Sequence, residues 1–353
     1  MTGPDARAVI VGIDTHKHVH VAVAIDHHGT RLAQLTIAAE RAGYEQLLNW
    51  AGTLGRVSSF GIEGTGSYGQ GLTSYLRRHD QTVVEAGRPD RRDRRHNGKS
   101  DTLDAENAAR SVLAGRAAAT PRRAEGVSEI LRQTKIAKDT AVKARTQAIV
   151  TLKTMVVTAP EELRAELDGL SKAALRDRCA ALRPGKVTSP LAAAKHAIRA
   201  LARRWVMLEA EIKEHEQIID QLTQAAAPAM RAAFGIGPDV AAEMLIIAGD
   251  RPTERLRSEA AFAKLCGAAP IPASSGMTQR YRLNPGGHRQ ANSALYRAVI
   301  VRMRFHPATV AYVTRRTAEG KTKREIIRCL KRYLARELYH HLTSPETLAA
   351  API

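Results

Sequence analysis

The sequence contains few cysteines and no long apolar run. Its three cysteines, Cys179, Cys266 and Cys329, lie far apart and form no CxxC pair. This spacing excludes a disulfide framework and a cysteine zinc site, and it indicates a reducing compartment. No segment approaches the roughly 18 apolar residues of a membrane span. The N-terminus carries charged residues before any apolar run, which argues against a secretory signal. We therefore expect a cytoplasmic protein with no membrane partner.

Aromatic and acidic residues are also scarce. Only 4% of residues are aromatic, so a base-stacking platform for single strands is not evident. Asp and Glu number 35 against 54 Lys and Arg, which gives a formal net charge of +19. An acidic membrane surface or simple solubility are alternative explanations of this charge. Charge spread along a whole chain is nevertheless typical of proteins that bind the phosphate backbone of nucleic acids.

The first third of the chain alternates between strand and helix patterns. Residues 8–26 predict two β-strands joined by a short polar turn, and RLAQLTIAAE predicts a third, in an antiparallel meander. A helix around 43–54, a strand in SSFGIEG, a helix at 68–79 and a strand in TVVEA follow. The order βββαβαβ, followed by a further helix, predicts an α/β domain with a mixed sheet and helices on its faces.

From Val127 the pattern changes to long polar helices. Apolar residues recur there in steps of four and three, and His215 takes the one missing place. This is heptad spacing, typical of a coiled-coil-like helix. The alternative is a helix packed on its own domain. Residues 160–190 predict a hairpin or small insertion. The heptad residues are Leu201, Trp205, Leu208, Ile212, Ile219 and Leu222.

A third region starts near Pro228 and contains AFGIGPDVAAEML, a glycine-rich turn that leads into a helix. The pattern resembles a helix-hairpin-helix turn, whose backbone amides face a phosphate. The alternative is an ordinary connection between two helices in which glycine supplies the backbone conformations.

Four acidic residues occupy positions where chemistry is plausible. Asp14 falls at the end of the first predicted strand, in VGIDTHK, and Glu63 ends a later strand, in FGIEGTGSYG. Asp101 and Asp104 lie three residues apart, so they share one face of the following helix. Each of these residues taken singly is weak evidence for a metal site, because a D-x-x-D pair often caps a helix or lies on its solvated face. Together they supply oxygen donors suited to magnesium, and paired ions can promote phosphodiester cleavage.

The strand order and the positions of these acids resemble the ribonuclease H-like nuclease fold. More narrowly, VGIDTHKHVHVAVAID, GIEGTGSYGQGL and NGKSDTLDAENAAR resemble the N-terminal domain of the DEDD transposases of the insertion-sequence-110 group. The segments FGIGPDVAAEML, AFAKLCGAAPIPASSGMTQRYRLNPGGHRQ and RRTAEGKTKREIIRCLKRYLARELYHHL resemble that group's second domain. The resemblance implies a RuvC-like catalytic domain at 1–125, a helical coiled-coil-like assembly region at 126–227, and a mainly helical transposase domain at 228–353.

The resemblance also assigns roles to residues. It places the DEDD tetrad on Asp14, Glu63, Asp101 and Asp104, which would hold magnesium, with manganese as a substitute. It implies a nucleophilic serine just before a glycine, and in PASSGMTQ we choose Ser275 over Ser274 for that reason. Attack of this serine on a DNA phosphodiester would form a covalent phosphoserine link, which a different strand end later reverses. From its residues alone, SSG is only a flexible-loop pattern.

Two basic sets lie near these residues. The first, in GRPDRRDRRHNGK, immediately precedes Asp101, and the second surrounds the serine segment. Charge runs are usually solvated faces, but beside a metal site these predict contacts to a nucleic-acid backbone, which position the substrate and do not specify its sequence. The first set is Arg88, Arg91, Arg92, Arg94, Arg95 and Lys99. The second is Arg280, Arg282, His288, Arg289, Arg297, Arg302 and Arg304.

Histidines 16, 18 and 20 alternate along the predicted second strand and would face one side of it. Such a row is one way to build a transition-metal site. We favour the polar face of a half-exposed strand instead, because the carboxylates already explain the need for a metal.

The function that the resemblance implies is transposition of an insertion sequence by a nucleoid-associated DNA recombinase. Its partners would be donor and target double-stranded DNA and a structured guide RNA encoded by the element. Strand exchange needs more than one active site, so we expect a homodimer that pairs into a tetramer through the heptad run. One protomer's tetrad would then complete a site with another's Ser275. The rival interpretations are a RuvC-like endonuclease that hydrolyses DNA junctions with water, and a binding protein without catalysis.

Overall fold

The computed structural model of the protein describes residues 8–87, 100–117, 119–277, 281–282 and 284–345. The chain divides into two compact units. The first comprises residues 1–123 with 251–257, and the second comprises residues 124–250 with 258–353. No helix among the described residues is both long and apolar enough to cross a membrane.

The first unit is built on a five-stranded sheet in the order β3-β2-β1-β4-β5. β1 pairs antiparallel with β2 and β2 with β3, whereas β4 runs parallel to β1 and to β5. The predicted antiparallel meander and the mixed sheet are thus confirmed. The strands are β1 (Ala8–Thr15), β2 (Val19–Ile25), β3 (Arg31–Ala38), β4 (Arg56–Glu63) and β5 (Val83–Ala86).

Helices cover both faces of this sheet. Alternate side chains of a strand point to opposite faces, so β1 contributes to two apolar cores. Val9, Val11 and Ile13 pack with the first two helices, whereas Ile10 packs with the third. The helices of this unit are α1 (Arg41–Leu54), α2 (Gln70–Arg78), α3 (Asp101–Leu113) and, from a later part of the chain, the short α10 (Pro252–Arg255).

The second unit is mainly helical. It contains a two-stranded ribbon, β6 (Ile271–Pro272) and β7 (Tyr281–Arg282), which are antiparallel. Its helices are α4 (Val127–Val157), α5 (Glu161–Leu167), α6 (Lys172–Ala180), α7 (Pro190–Ala226), α8 (Pro228–Ala232), α9 (Pro238–Ala248), α11 (Glu259–Leu265), α12 (Arg289–Phe305), α13 (Pro307–Ala318) and α14 (Lys323–Thr343).

The two long helices of this unit form an antiparallel pair. Lys138 of α4 lies 3.4 Å from Glu216 of α7. Arg145, seven residues later in α4, forms an ion pair with Glu209, seven residues earlier in α7, so the two helices run in opposite directions. The guanidinium of Arg145 also lies 5.7 Å from the ring centre of Trp205.

Three of the six heptad residues of α7 are buried by the chain itself, and the other three are half-buried. Trp205, Ile212 and Ile219 are all buried, and Trp205 belongs to an apolar core that Ile149 and Leu152 of α4 share. This matches the second interpretation of the heptad pattern, a helix packed on its own domain. A surface that joins protomers would therefore have to use other faces of these helices.

The glycine-rich turn before α9 is present where the sequence predicts it. Gly235 has a φ of 76°, a left-handed conformation that favours glycine, and Pro238 takes the first position of α9, where a missing backbone N–H costs nothing. Asp239 in the first turn of the helix lies 2.8 Å from Lys138. Contact between this turn and a phosphate stays a prediction.

Candidate active site

Asp14 is the next-to-last residue of β1 and Glu63 is the last residue of β4, and these two strands are parallel neighbours. Ile13 of β1 lies opposite Ile62 of β4, so the acids that follow them are adjacent in register and belong to the same face of the sheet. The hydroxyl of Thr15 donates a 2.8 Å hydrogen bond to the backbone carbonyl of Glu63, which ties the two strand ends together. Asp14 is 8% exposed and the Glu63 residue is half-buried.

α3 lies on the face of the sheet that carries these acids. Two residues before each acid is a glycine, Gly12 on β1 and Gly61 on β4. A Cβ atom at Gly12 would overlap the backbone of Ala105 and Ala109 of α3. A Cβ at Gly61 would lie 2.7 Å from Val112 Cγ2. The missing side chains therefore let α3 approach the strands closely.

The start of α3 supplies the second pair of acids. Ser100 caps the helix, because its hydroxyl oxygen accepts a 3.2 Å hydrogen bond from the backbone N–H of Leu103. Asp101 and Asp104 occupy the first turn, where the helix dipole favours negative charge. Asp104 is only 4% exposed, whereas Asp101 is exposed.

His16 joins this group. Its Nε2 atom lies 3.3 Å from a carboxylate oxygen of Asp14 and 3.3 Å from one of Asp101. One ligand atom from each of these three residues lies within 4.8 Å of the others, which makes Asp14, His16 and Asp101 a group able to hold a divalent metal ion. The Nε2 atom is itself buried and forms no hydrogen bond of acceptable geometry with any described residue. An unsatisfied nitrogen between two carboxylates fits a bound cation.

The charges at this site act on one another. Burial raises the pKa of Asp14 above its usual value, His16 opposes that rise, and the negative charges of Asp104 and Asp101 add to it. All three carboxylates are therefore close enough to repel. A divalent cation would relieve this repulsion and favour the charged forms.

The structure corrects the interpretation of the histidine row. His16 and His18 lie in the turn between β1 and β2, and His18 is exposed. His20 is on β2 but fully buried, stacked on Tyr44 with ring centres 5.9 Å apart. Burial lowers the pKa of His20, which favours the neutral ring. The prediction of a half-exposed strand with a polar face was wrong, because the strand begins at Val19 and is buried on both faces from His20 onwards. His16 is the residue that the sequence reasoning missed.

The serine segment lies in the second unit, after β6. Ser275 is exposed, and Gly276 has a φ of 57° that favours glycine. Ser274 precedes it and is also exposed. An exposed hydroxyl on a loop beside a left-handed glycine is accessible to a large substrate.

None of the six residues of the first basic set belongs to the part of the chain that the structure describes. Arg88, Arg91, Arg92, Arg94, Arg95 and Lys99, and also Arg280 of the second set, lie outside the described residues.

In the second set, Arg282 and Arg289 are exposed, as the prediction requires. Arg302 has another partner, since its guanidinium donates two 2.6 Å hydrogen bonds to Glu337 and one to the carbonyl of Phe234. Arg302 thus forms a bidentate ion pair within the unit, and its contact to a phosphate stays a prediction.

Two family models match the chain. One, described as a transposase of the DEDD type of IS110, matches residues 11–159 and contains all four acids. The other, described as the transposase IS116/IS110/IS902 family, matches residues 227–314 and contains Ser275. None of the curated proteins compared with the chain matches it.

Proposed function

Because the chain belongs to the IS116/IS110/IS902 family of transposases and is an enzyme that acts on DNA, we propose that it cuts and rejoins DNA strands through a covalent phosphoserine intermediate. The observation that carries this proposal is the convergence of Asp14, His16 and Asp101 at the edge of the sheet, in a region that matches a DEDD transposase.

We propose that the N-terminal acid site has a ribonuclease H-like arrangement and binds magnesium. Asp14, His16 and Asp101 would hold the ion, and Asp104 and Glu63 would complete its surroundings. A bound divalent cation supplies Lewis-acid polarisation of phosphate oxygens. The buried Asp104 contributes negative charge close to the cation, and Thr15 fixes the strand end from which Asp14 projects. Manganese would substitute for magnesium, because carboxylate oxygens accept both ions.

The serine would carry the covalent step. The bond between Ser275 Oγ and phosphorus forms as one DNA P–O bond breaks, and the serine proton ends on the departing DNA oxygen. A hydroxyl from a different strand end then attacks the phosphoserine and returns the proton to Ser275. Each exchange replaces one phosphodiester by another, so no external energy source is needed.

The partners that we propose are donor and target duplexes, a structured guide RNA from the element, and further copies of the chain. The net charge of +19 supports contacts to several nucleic-acid backbones at once. Few aromatic residues are available to stack on bases, which supports recognition of the DNA sequence by base pairing to an RNA. Two duplexes must be joined, which supports a homodimer that pairs into a tetramer.

The test is to incubate the purified protein with magnesium, labelled donor and target DNA, with and without RNA from the flanks of the element, and to separate the products under denaturing conditions. We expect a band of protein linked to DNA that is lost in Ser275→Ala and in Asp101→Asn. Ser274→Ala is the matched control and should retain the band.

Cleavage without attached protein, equally fast in Ser275→Ala, would show instead that water is the nucleophile and that the chain is a hydrolytic endonuclease. Binding without any cleavage, unchanged in Asp101→Asn, would remove the catalytic role altogether.

A further inference from the structure

A cavity of about 660 Å³ lies in the second unit, between the base of the β6–β7 ribbon, residues 267–270 and the helices α13 and α14. Its volume is within the range of about 300–1,000 Å³ that is typical of small-molecule sites, large enough for a nucleotide. The wall is strongly basic. It contains Arg282, Arg316, Lys321, Arg328, Lys331 and Arg332.

Glu325 is the one acid among the described residues that line this cavity, and it is occupied elsewhere. One of its carboxylate oxygens accepts 2.8 Å hydrogen bonds from both the backbone N–H and the hydroxyl of Thr322, which caps α14. Two of the six cations have acidic partners outside the lining, Arg316 with Glu319 and Arg332 with Glu259. The other four outnumber the single carboxylate of Glu325, so the cavity keeps an excess of positive charge.

Lys331 is the most informative of these cations. It is 8% exposed, and its ammonium donates a 2.9 Å hydrogen bond to the side-chain oxygen of Asn292. The amide group of Asn292 donates to the carbonyls of Cys266 and Gly267, which fixes the oxygen toward the lysine. An ammonium has three protons to donate, so this one neutral acceptor leaves it incompletely satisfied.

No acid among the described residues forms an ion pair with Lys331. Burial lowers the pKa of Lys331, and the nearby charge of Arg328 lowers it further. A buried cation beside a second cation is unfavourable unless an anion lies between them. This corner of the cavity therefore has the composition of a phosphate site.

A nucleotide also needs a surface on which its base can stack, and two tyrosines of the cavity supply one. Tyr281 and Tyr333 line the same cavity, and they are 63% and 51% exposed. Aromatic residues make up only 4% of the chain, so two exposed rings beside a phosphate site are a local concentration. Exposed rings of this kind stack on unpaired bases.

The cavity is close to Ser275 along the ribbon. Pro272 pairs with Tyr281, and Ser275 follows Pro272 by three residues, a reach of at most about 10 Å in extended chain. A strand advances about 3.4 Å per nucleotide in a duplex, so this reach corresponds to roughly three nucleotides or fewer.

We propose that this cavity holds an unpaired nucleotide of the DNA strand that Ser275 cleaves, with a backbone phosphate at Lys331 and Arg328 and the base against Tyr281 and Tyr333. The proposal rests on the function proposed for Ser275. It makes the cavity a positioning site that keeps the nucleotides beside the scissile phosphate out of the double helix.

The test measures binding in the full-length Ser275→Ala protein without divalent cations, so that no chemistry intervenes. The probes are a labelled oligothymidylate, an abasic strand with the same number of phosphates, a blunt duplex and an oligouridylate, each followed by fluorescence anisotropy. The variants are Tyr333→Ala and Arg328→Gln. Arg183→Gln removes one exposed charge outside the cavity and outside both basic sets, and it is the matched control.

We expect Tyr333→Ala to weaken oligothymidylate binding about tenfold and to leave the abasic strand unchanged, because only the stacked base is lost. Arg328→Gln should weaken both single-stranded probes more than Arg183→Gln does, and the blunt duplex should respond alike to both arginine variants.

If Tyr333→Ala and Arg328→Gln both bind every probe as tightly as the control variant does, the cavity proposal is overturned. A Tyr333→Ala defect confined to oligouridylate would also overturn it and would identify the ligand as RNA. The covalent product is measured separately with Ser275 restored. If that product forms while the cavity variants bind normally, only the cavity proposal fails; if no covalent product forms, the role of Ser275 fails, and with it the assignment of the bound strand.

Discussion

Gly12 of β1 lies directly against Ala105 of α3, with no space for a side chain between the strand and the helix. The same helix carries Asp101 and Asp104 in its first turn. The close approach that places these two acids beside Asp14 therefore depends on Gly12 having no side chain. Gly61 plays the same part on β4, where Val112 and Ala108 approach it.

We expect Gly12→Ala to destabilise the protein by about 1–3 kcal/mol, because the added methyl group meets helix backbone that cannot rotate away. Gly52→Ala is the matched control. Gly52 is exposed within α1 and has no atom within 4 Å of the position that its Cβ would take. That substitution should be neutral or stabilising by up to about 1 kcal/mol. Urea denaturation of both variants checks the difference, and equal stabilities would contradict the close packing at Gly12.

The charged carboxylate of Asp14 should destabilise the folded protein when no metal is bound. Burial raises its pKa, so the folded protein holds this proton more tightly than the unfolded chain does. The stability that this proton provides is complete below the ordinary pKa of aspartate and falls as the pH rises through the higher folded value. At neutral pH we therefore expect the uncharged variant Asp14→Asn to be more stable than the wild type.

This gain should shrink as the pH falls toward the ordinary aspartate pKa of about 3.9, and adding magnesium should stabilise the wild type but not Asp14→Asn. Urea denaturation at neutral and mildly acidic pH, with and without magnesium, measures both effects. A variant that is less stable than the wild type at every pH would show that the carboxylate has a favourable partner instead.

His16 should contribute to cation binding. Its Nε2 atom lies 3.3 Å from both Asp14 and Asp101, whereas His18 is exposed and belongs to no cluster of metal-binding side chains among the described residues. We expect His16→Ala to weaken manganese binding about tenfold, and His18→Ala to leave it unchanged. Titration of manganese by calorimetry distinguishes the two. Equal affinities in both variants would leave His16 with only the role of a counter-charge.

Asp250 should stabilise the start of α4. Its carboxylate oxygens accept hydrogen bonds from the backbone N–H groups of Glu125, Gly126 and Ser128, at distances of 3.0, 2.8 and 2.8 Å. These groups lie at a helix start, where they have no partner within the helix. We expect Asp250→Ala to cost about 1–2 kcal/mol of unfolding free energy.

The control for this variant is Glu214→Ala, on an exposed position of α7, which should change the unfolding free energy by less than about 0.5 kcal/mol. Thermal unfolding followed by circular dichroism compares them. A loss of the same small size in both would mean that the helix start is satisfied by water as well as by Asp250.

The order of strands and helices in the first unit was predictable because its signals are local. Runs such as AVIVGID alternate with polar turns over a few residues, and each run folds into one element. The four acids were found for the same reason, since their places at strand ends and in one helical turn follow from spacing alone. The repeated pattern of VGID and FGIE also contains a signal of the close helix packing, a glycine two residues before each acid.

His16 and the heptad residues show where local patterns stop being sufficient. Three alternating histidines fit a strand as well as they fit a turn, and the boundary at Val19 depends on pairing with β1 and β3. Heptad spacing describes an apolar stripe equally well whether the partner helix belongs to another chain or to the same one. Arg302 likewise resembles its basic neighbours until Glu337, distant in sequence, is brought opposite to it.

Composition and short-range periodicity are properties of neighbouring residues, so they were enough for the basic charge, the α/β and helical regions and the candidate acids. The convergence of Asp14, His16 and Asp101, the close approach at Gly12 and the excess of cations around Lys331 join residues from separate segments of the chain. Such contacts arise from how whole elements pack, and packing depends on the shapes and charges of surfaces that no single stretch of sequence contains.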